Sequence, residues 1–183
     1  MDFEKVLGLL LKDFEKEDVR YSMIGGFGLG ALGIMRATMD LDFLVDHKDL
    51  GKIREIMNKY EYNCVYESEN VSQYVSELKV FGEIDFLHAF RNKSLAMLDR
   101  AKTVAVFGGR LKIRVLMPED IIGLKLQALV NDRTRENKEL ADIEEVLSHL
   151  GSELDWEMIE DYFELFQKGD VFKSFKEKYG ANK

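Results

Sequence analysis

The sequence has little cysteine, proline or histidine, and these shortages exclude several kinds of protein. There is one cysteine among the 183 residues, Cys64, so no internal disulfide framework can form and a reducing compartment is expected. The three histidines, His47, His88 and His149, show no zinc-ligand spacing with Cys64. No apolar run is long enough to cross a membrane. We therefore expect a soluble, cytoplasmic protein with no structural zinc site and no membrane partner.

Net positive charge is also lacking, and the charge that is present is unevenly spread. The formal net charge of −8 argues against a general nucleic-acid coat. Residues 91–114 nevertheless carry seven Lys or Arg and a single acid, Asp99, whereas residues 139–164 carry ten Asp or Glu and no Lys or Arg. The basic segment could hold a triphosphate or a nucleic-acid acceptor, and both segments could equally be solvated surfaces.

The spacing of apolar residues divides the chain near residue 117. Before that point, the pattern predicts helices over 2–17, 27–34 and 48–60, and strands over 19–24, 41–45, 62–66, 74–81, 84–87, 103–107 and 111–116. The only proline, Pro118, then begins a wholly helical stretch with helices over 118–132, 136–150, 155–167 and 169–179. We therefore expect an α+β (mixed α/β) fold, with a mixed β-sheet flanked by helices in residues 1–117. Residues 118–183 would form a C-terminal helical region packed on that core.

The segment that carries most chemical information is Tyr21–Val45. Gly25 and Gly26 end an apolar strand, and a glycine without a Cβ lets the backbone approach a phosphate closely. A short helix follows, whose first N–H groups would face the same place. Asp40 and Asp42 then open the next strand, where side chains two residues apart share a face. Two carboxylates beside such a backbone are typical of a site for Mg²⁺ and a nucleoside triphosphate.

A third carboxylate should come from another strand, and Asp85 is the candidate. It lies between Ile84 and Phe86, where an acid is costly to bury without a partner, and a metal ion is such a partner. Each acid also has a plain interpretation: Asp40 could cap a turn, and Asp85 could be a hairpin residue. The combination of strand, Gly-Gly, short helix, Asp-x-Asp strand and later isolated Asp favours the metal site.

The same segment contains a competing motif, since Gly28, Gly30 and Gly33 spell G-x-G-x-x-G after a strand. With Asp46 further on, this is the pattern of a dinucleotide-binding turn. Seven residues between Gly33 and Leu41 are too few for a parallel crossover. If the two strands are antiparallel instead, the Asp-x-Asp pair lies beside the glycines.

The residues Gly25-Gly26, Arg36–Asp42 (RATMDLD) and Ile84–Phe86 (IDF) resemble the nucleotidyltransferase superfamily that includes DNA polymerase β. The similarity points to small bacterial branches, namely the abortive-infection and toxin–antitoxin enzymes and the aminoglycoside and lincosamide enzymes. Met117–Leu129 looks like the toxin-type group's next helix. The segment with Arg133 or Arg135, Lys138 and Asp142 looks like its following motif, although Gly26 stands where serine is frequent and Glu139 matches loosely.

The resemblance implies a nucleotidyltransferase core and a role for each matching residue. Asp40, Asp42 and Asp85 would be the catalytic metal ligands, with Asp85 either the third ligand or the base for the acceptor hydroxyl. The implied cofactor is Mg²⁺, in a two-metal site, with Mn²⁺ as the alternative ion. The remaining implied nucleotide-binding residues are Gly25, Gly26, Arg36, Thr38 and Lys125. Lys125 could equally be a surface lysine, and Asp142 could bind nucleotide or pair with Lys138.

The implied activity is transfer of a nucleoside monophosphate from a nucleoside triphosphate to an acceptor, with release of pyrophosphate. The acceptor is open between an RNA 3′ end, a protein and a small molecule such as an antibiotic. A toxin–antitoxin or phage-defence role would add a cognate antitoxin or other partner protein. The alternative from a different class is a non-catalytic module that binds nucleotide or a partner on the same fold.

Overall fold

The structure is a computed structural model that describes residues 1–35 and 37–180. Arg36, one of the implied nucleotide-binding residues, lies outside the described residues. The chain divides into two compact units, Met1–Leu116 and Met117–Lys183. Within the described ranges, every helix is too short or too polar to cross a bilayer.

Over its described residues, the first unit contains one seven-stranded sheet and four α-helices. In chain order its elements are α1 (Phe3–Lys16), β1 (Tyr21–Ile24), α2 (Gly25–Ala31), β2 (Asp40–Asp46), α3 (Leu50–Lys59), β3 (Tyr62–Glu67), β4 (Val71–Ser76), β5 (Glu83–Ala89), α4 (Asn92–Arg100), β6 (Lys102–Val106) and β7 (Leu111–Val115). The strand order is β3-β4-β5-β2-β1-β7-β6. The pairs β2–β5 and β1–β7 are parallel and the other neighbours are antiparallel. The predicted mixed sheet flanked by helices is confirmed.

The pairing of β1 with β2 decides between the two interpretations of the glycine-rich segment. These strands are antiparallel, with Ile24 opposite Asp42, and α2 between them has seven residues. A dinucleotide-binding turn requires a parallel crossover between its two strands, which this pairing excludes. The start of β2 therefore lies beside Gly25 and Gly26.

One face of the sheet carries the hydrophobic core of this unit. The buried faces of α1 and α3 pack there against Leu41, Phe43 and Phe86, which are all fully buried. The rings of Phe43 and Phe86 stack with centroids 5.4 Å apart. Because side chains alternate along a strand, the even-numbered residues of β2 and the odd-numbered residues of β5 lie on the other face.

Two local expectations in the first unit differ from the structure. Helix α4 was not predicted, because nine residues with mixed polar and apolar positions give too short a periodic window. Strand β4 ends at Ser76, whereas the pattern predicted a strand over 74–81. Residues 77–81 form a turn there, and the backbone N–H of Phe81 donates to the carbonyl of Leu78.

The second unit consists of four α-helices over its described residues. They are α5 (Pro118–Asn131), α6 (Glu136–Leu150), α7 (Trp156–Leu165) and α8 (Gly169–Tyr179), close to the predicted ranges. Pro118 occupies the first turn of α5, where its missing N–H leaves no intrahelical hydrogen bond unmade. The side chain of Asp155 caps α7 by accepting from the N–H groups of Glu157 and Met158.

Candidate active site

The two central strands bring the three predicted carboxylates to one face of the sheet. Asp42 on β2 is in register with Asp85 on β5, and adjacent strands lie about 4.8 Å apart. Asp40 lies two residues before Asp42 on the same face, opposite the buried core. Asp85 thus reaches this face from a different strand, and its role as a third metal ligand stays a prediction.

Gly25 and Gly26 pack directly against residues of this face. A Cβ on Gly25 would lie 1.8 Å from Oδ2 of Asp42. Gly25 also has a backbone φ of +60°, which residues with a side chain rarely adopt. A Cβ on Gly26 would lie 2.7 Å from Cβ of Thr38. Both glycines are therefore required by close approach, and each contacts a residue of the predicted site.

Two neutral side chains hold the carboxylates in place. The Thr38 hydroxyl donates to Oδ1 of Asp40 at 2.6 Å, and Nε2 of Gln73 donates to Oδ2 of Asp85 at 3.0 Å. Thr38 was predicted from the resemblance, whereas Gln73 was missed by the sequence analysis. No local signal marks Gln73, because its role depends on the register of β4 against β5, where it lies opposite Asp85.

Crowding of negative charge defines the electrostatics of the site. Burial, followed by the charge of Asp40, raises the pKa of Asp85, and the hydrogen bond from Gln73 opposes that rise. Glu83, another residue that sequence analysis missed, lies opposite Asp40 on the same face. Burial raises the pKa of Glu83, and the charges of Asp85 and Asp40 add to the rise. Four carboxylates thus gather at this end of the face, and a cation would relieve their repulsion.

One oxygen of the site has no partner to satisfy it. Oδ1 of Asp85 is buried and forms no hydrogen bond with the residues described. A buried carboxylate oxygen is costly in this state, and carboxylate oxygens are the ligands that Mg²⁺ prefers. As they stand, no three His, Cys, Asp or Glu side chains in residues 1–35 and 37–180 are gathered tightly enough to hold a metal ion. Binding an ion would require the aspartate side chains to rotate towards it.

Lys125 lies in the second unit, on α5, and its charge is already paired. Its Nζ is 3.0 Å from Oε2 of Glu139 and 2.5 Å from Oδ2 of Asp142. Glu139 is fully buried and also lies 2.6 Å from the guanidinium of Arg135. Pairing with Lys138 was one expectation for Asp142, and the structure instead pairs it with Lys125. A nucleotide phosphate would have to compete with two carboxylates for this lysine.

Several solved structures share this fold. The antibiotic-resistance factor ANT(2'')-Ia superposes with a TM-score of 0.66 at 15% identity, covering 97% of this chain and 98% of that chain. The lincosamide antibiotic adenylyltransferase LnuA superposes with a TM-score of 0.55 at 19% identity, covering 79% of this chain and 96% of that chain. An antigenic nucleotidyltransferase-like protein from Paracoccidioides brasiliensis superposes with a TM-score of 0.56 at 15% identity, covering 96% of this chain and 92% of that chain. At these identities the likeness establishes the fold.

Sequence comparison establishes the family. No curated protein sequence matches the chain. Residues 4–167 match the family described as uncharacterised nucleotidyltransferase. The resemblance inferred from the Gly-Gly, RATMDLD and IDF segments is thereby confirmed at family level. Because the match spans most of the chain, this protein belongs to that family of nucleotidyltransferases, and its enzyme class is nucleotidyl transfer.

Proposed function

We propose that this enzyme is a divalent-metal-dependent nucleotidyltransferase that transfers a nucleoside monophosphate from a nucleoside triphosphate to a hydroxyl group of a small-molecule acceptor. The observation that carries the proposal is the placement of Asp40, Asp42 and Asp85 on one sheet face, with Asp42 packed against Gly25. This arrangement offers carboxylates and an accessible glycine backbone at the same point, which is what a metal-bound triphosphate requires.

The residues present suit a magnesium site. Asp40, Asp42 and Asp85 would hold the ion, and the unpartnered Oδ1 of Asp85 is the clearest sign that a cation belongs there. When bound, Mg²⁺ neutralises the triphosphate and lowers the pKa of an attacking oxygen. Mn²⁺ has the same ligand preference and would substitute for it.

The reaction moves one nucleotidyl group and one proton. The acceptor hydroxyl oxygen forms a bond to the α-phosphorus, the bond from that phosphorus to the bridging oxygen breaks, and pyrophosphate leaves with that oxygen. Asp85 accepts the hydroxyl proton, with Gln73 holding one of its oxygens at 3.0 Å. Thr38 fixes the orientation of Asp40, and most of the rate enhancement comes from such positioning.

Three observations support a small, cationic acceptor over a polynucleotide. Glu83, which is largely exposed although part of its carboxyl is desolvated, extends the row of carboxylates, so the site face attracts positive charge. The basic segment is partly engaged, because Arg110 pairs with Glu4 and Arg114 donates to the carbonyl of Leu98. In addition, ANT(2'')-Ia, which matches this chain over nearly its full length, was crystallised with adenylyl-2''-tobramycin.

The test is a transfer assay with each of the four α-³²P-labelled nucleoside triphosphates, Mg²⁺, and three acceptors: tobramycin, lincomycin and a short RNA. We expect label on a hydroxylated small molecule, no label on RNA, and loss of transfer in Asp42→Asn. Glu55→Gln removes an exposed carboxylate on α3 and should leave transfer unchanged. Label on RNA alone would overturn the acceptor assignment. If no pair of nucleotide and acceptor gives transfer or pyrophosphate release, that result would favour the non-catalytic alternative.

A further inference from the structure

A cavity of about 560 Å³ opens within the second unit. It lies where α5 and α7 end and where α6 and α8 begin. Its walls come from those helix ends and from the loops that join them. The volume is within the range of small-molecule sites. All its lining residues belong to the second unit, and none is a residue of the carboxylate site.

Part of the cavity wall is apolar and unusually exposed. Leu129 is buried at its base, whereas the side chains of Val130 and Leu165 are 45% and 50% exposed. Phe166 adds an aromatic ring to the same wall. Large apolar side chains left half-open around one concavity favour a ligand with an apolar body, because covering them removes apolar surface from water.

The polar part of the wall carries a cation that no protein side chain neutralises. The side chain of Arg133 is exposed and forms no hydrogen bond or ion pair with any residue that the structure describes. By contrast, Arg135 pairs with Glu139 at 2.6 Å, and Lys168 on the cavity wall pairs with Glu136 at 3.1 Å. Because Lys168 and Glu136 cancel, the cavity lining has a net charge of +1 in a chain whose net charge is −8.

The turn that carries Arg133 is held in one conformation. Oδ1 of Asp132 accepts hydrogen bonds from the backbone N–H of Thr134 at 2.9 Å and from its hydroxyl at 2.7 Å. The carboxylate next to Arg133 in the sequence is therefore used to fix the turn and does not neutralise the guanidinium. A guanidinium that no protein carboxylate neutralises can bind a carboxylate or phosphate through two parallel hydrogen bonds.

We propose that this cavity is a binding site for an amphipathic organic monoanion. The apolar body of the ligand packs against Leu129, Val130, Leu165 and Phe166, and its anionic group pairs with Arg133. The ligand class is a carboxylate with an aromatic or branched aliphatic body. This inference is independent of the nucleotidyl transfer proposed above, because it uses none of the same residues.

Calorimetry with the full chain tests the proposal. The probes are 2-naphthoate and its neutral analogue of the same shape, 2-naphthamide. We expect one naphthoate per chain, with naphthamide bound at least about tenfold more weakly, because the neutral amide loses the charge-assisted contact with Arg133. Arg133→Gln should lower naphthoate affinity about tenfold and leave naphthamide affinity unchanged. Leu165→Ser should weaken the binding of both probes.

The matched control is Lys138→Gln, which removes an exposed positive charge on α6 that does not line the cavity. It should leave both affinities unchanged. Circular dichroism on each variant checks that the helices are intact. The proposal is overturned if naphthoate fails to bind at about 5 mM. It is also overturned if naphthamide binds equally well, or if Arg133→Gln and Lys138→Gln have the same effect.

Discussion

Replacing Gly25 with alanine should damage the site more than the fold. An alanine at φ +60° costs about 1–2 kcal/mol, because left-handed backbone brings the Cβ close to the following carbonyl. The new Cβ would also lie 1.8 Å from Oδ2 and 2.5 Å from Cγ of Asp42, well inside van der Waals contact. Asp42 must therefore move by roughly 1 Å or more, and a displacement of that size reduces catalysis by about 10²-fold.

The control lies in the same short helix. Gly30 has no heavy atom within 4 Å of an added Cβ and lies on the exposed surface of α2, so Gly30→Ala should be neutral or stabilising by up to about 1 kcal/mol. Urea denaturation measures the free energy of unfolding, and Mg²⁺-dependent nucleotide binding with transfer measures the site. If Gly25→Ala binds and transfers like the unmodified enzyme, the packing of Gly25 on Asp42 does not organise the site.

Two further predictions concern Lys125 and His88, ionisable groups that are not among the four carboxylates of the site. Lys125→Met should lower the free energy of unfolding by about 3 kcal/mol, because it removes an ion-pair partner of the fully buried Glu139. The control is Lys138→Met at an exposed position, which should change that free energy by less than about 0.5 kcal/mol. Unchanged stability in Lys125→Met together with lost nucleotide binding would instead assign Lys125 to the nucleotide. Burial lowers the pKa of His88, whose Nε2 lies 3.0 Å from the Ser72 hydroxyl. The unfolded chain therefore takes up this proton first on acidification. The contribution of His88 to the free energy of unfolding is therefore fully present above about pH 6.5. It is lost as the pH falls further, by at most about 1.4 kcal/mol per pH unit. His88→Gln should flatten that loss in urea titrations at pH 7, 6 and 5, and an unchanged slope would contradict the argument.

The central motif could be predicted from sequence because its parts are local. The Asp-x-Asp spacing places Asp40 and Asp42 on one face of any strand, and the shortness of the helix between the two strands, seven residues, favours an antiparallel return. The sequence also indicated that a third acid must come from another strand, and Asp85 was the single isolated candidate. Each of these inferences depends on spacing within a short segment.

The residues that were missed depend on contacts between distant segments. Gln73 reaches Asp85, and Glu83 faces Asp40, only because of the register of β4, β5 and β2, which is set by hydrogen bonding between strands. The carboxylate partners of Lys125 were missed for the same reason, since they lie on the next helix and helix packing is not encoded in spacing along one helix. A polar residue on a strand gives no local sign of which neighbour it will meet.

The most direct test of the account is calorimetry of the metal-free protein with ATP, GTP, CTP and UTP, with and without Mg²⁺, repeated on Asp42→Asn. The account predicts that at least one nucleotide binds only when Mg²⁺ is present. It also predicts that this binding is lost in Asp42→Asn but kept in Glu55→Gln, with circular dichroism showing that all three proteins are folded. Nucleotide binding of equal affinity with and without Mg²⁺ would contradict the assignment of this carboxylate face as a metal-nucleotide site. Unchanged affinity in Asp42→Asn would contradict it as well.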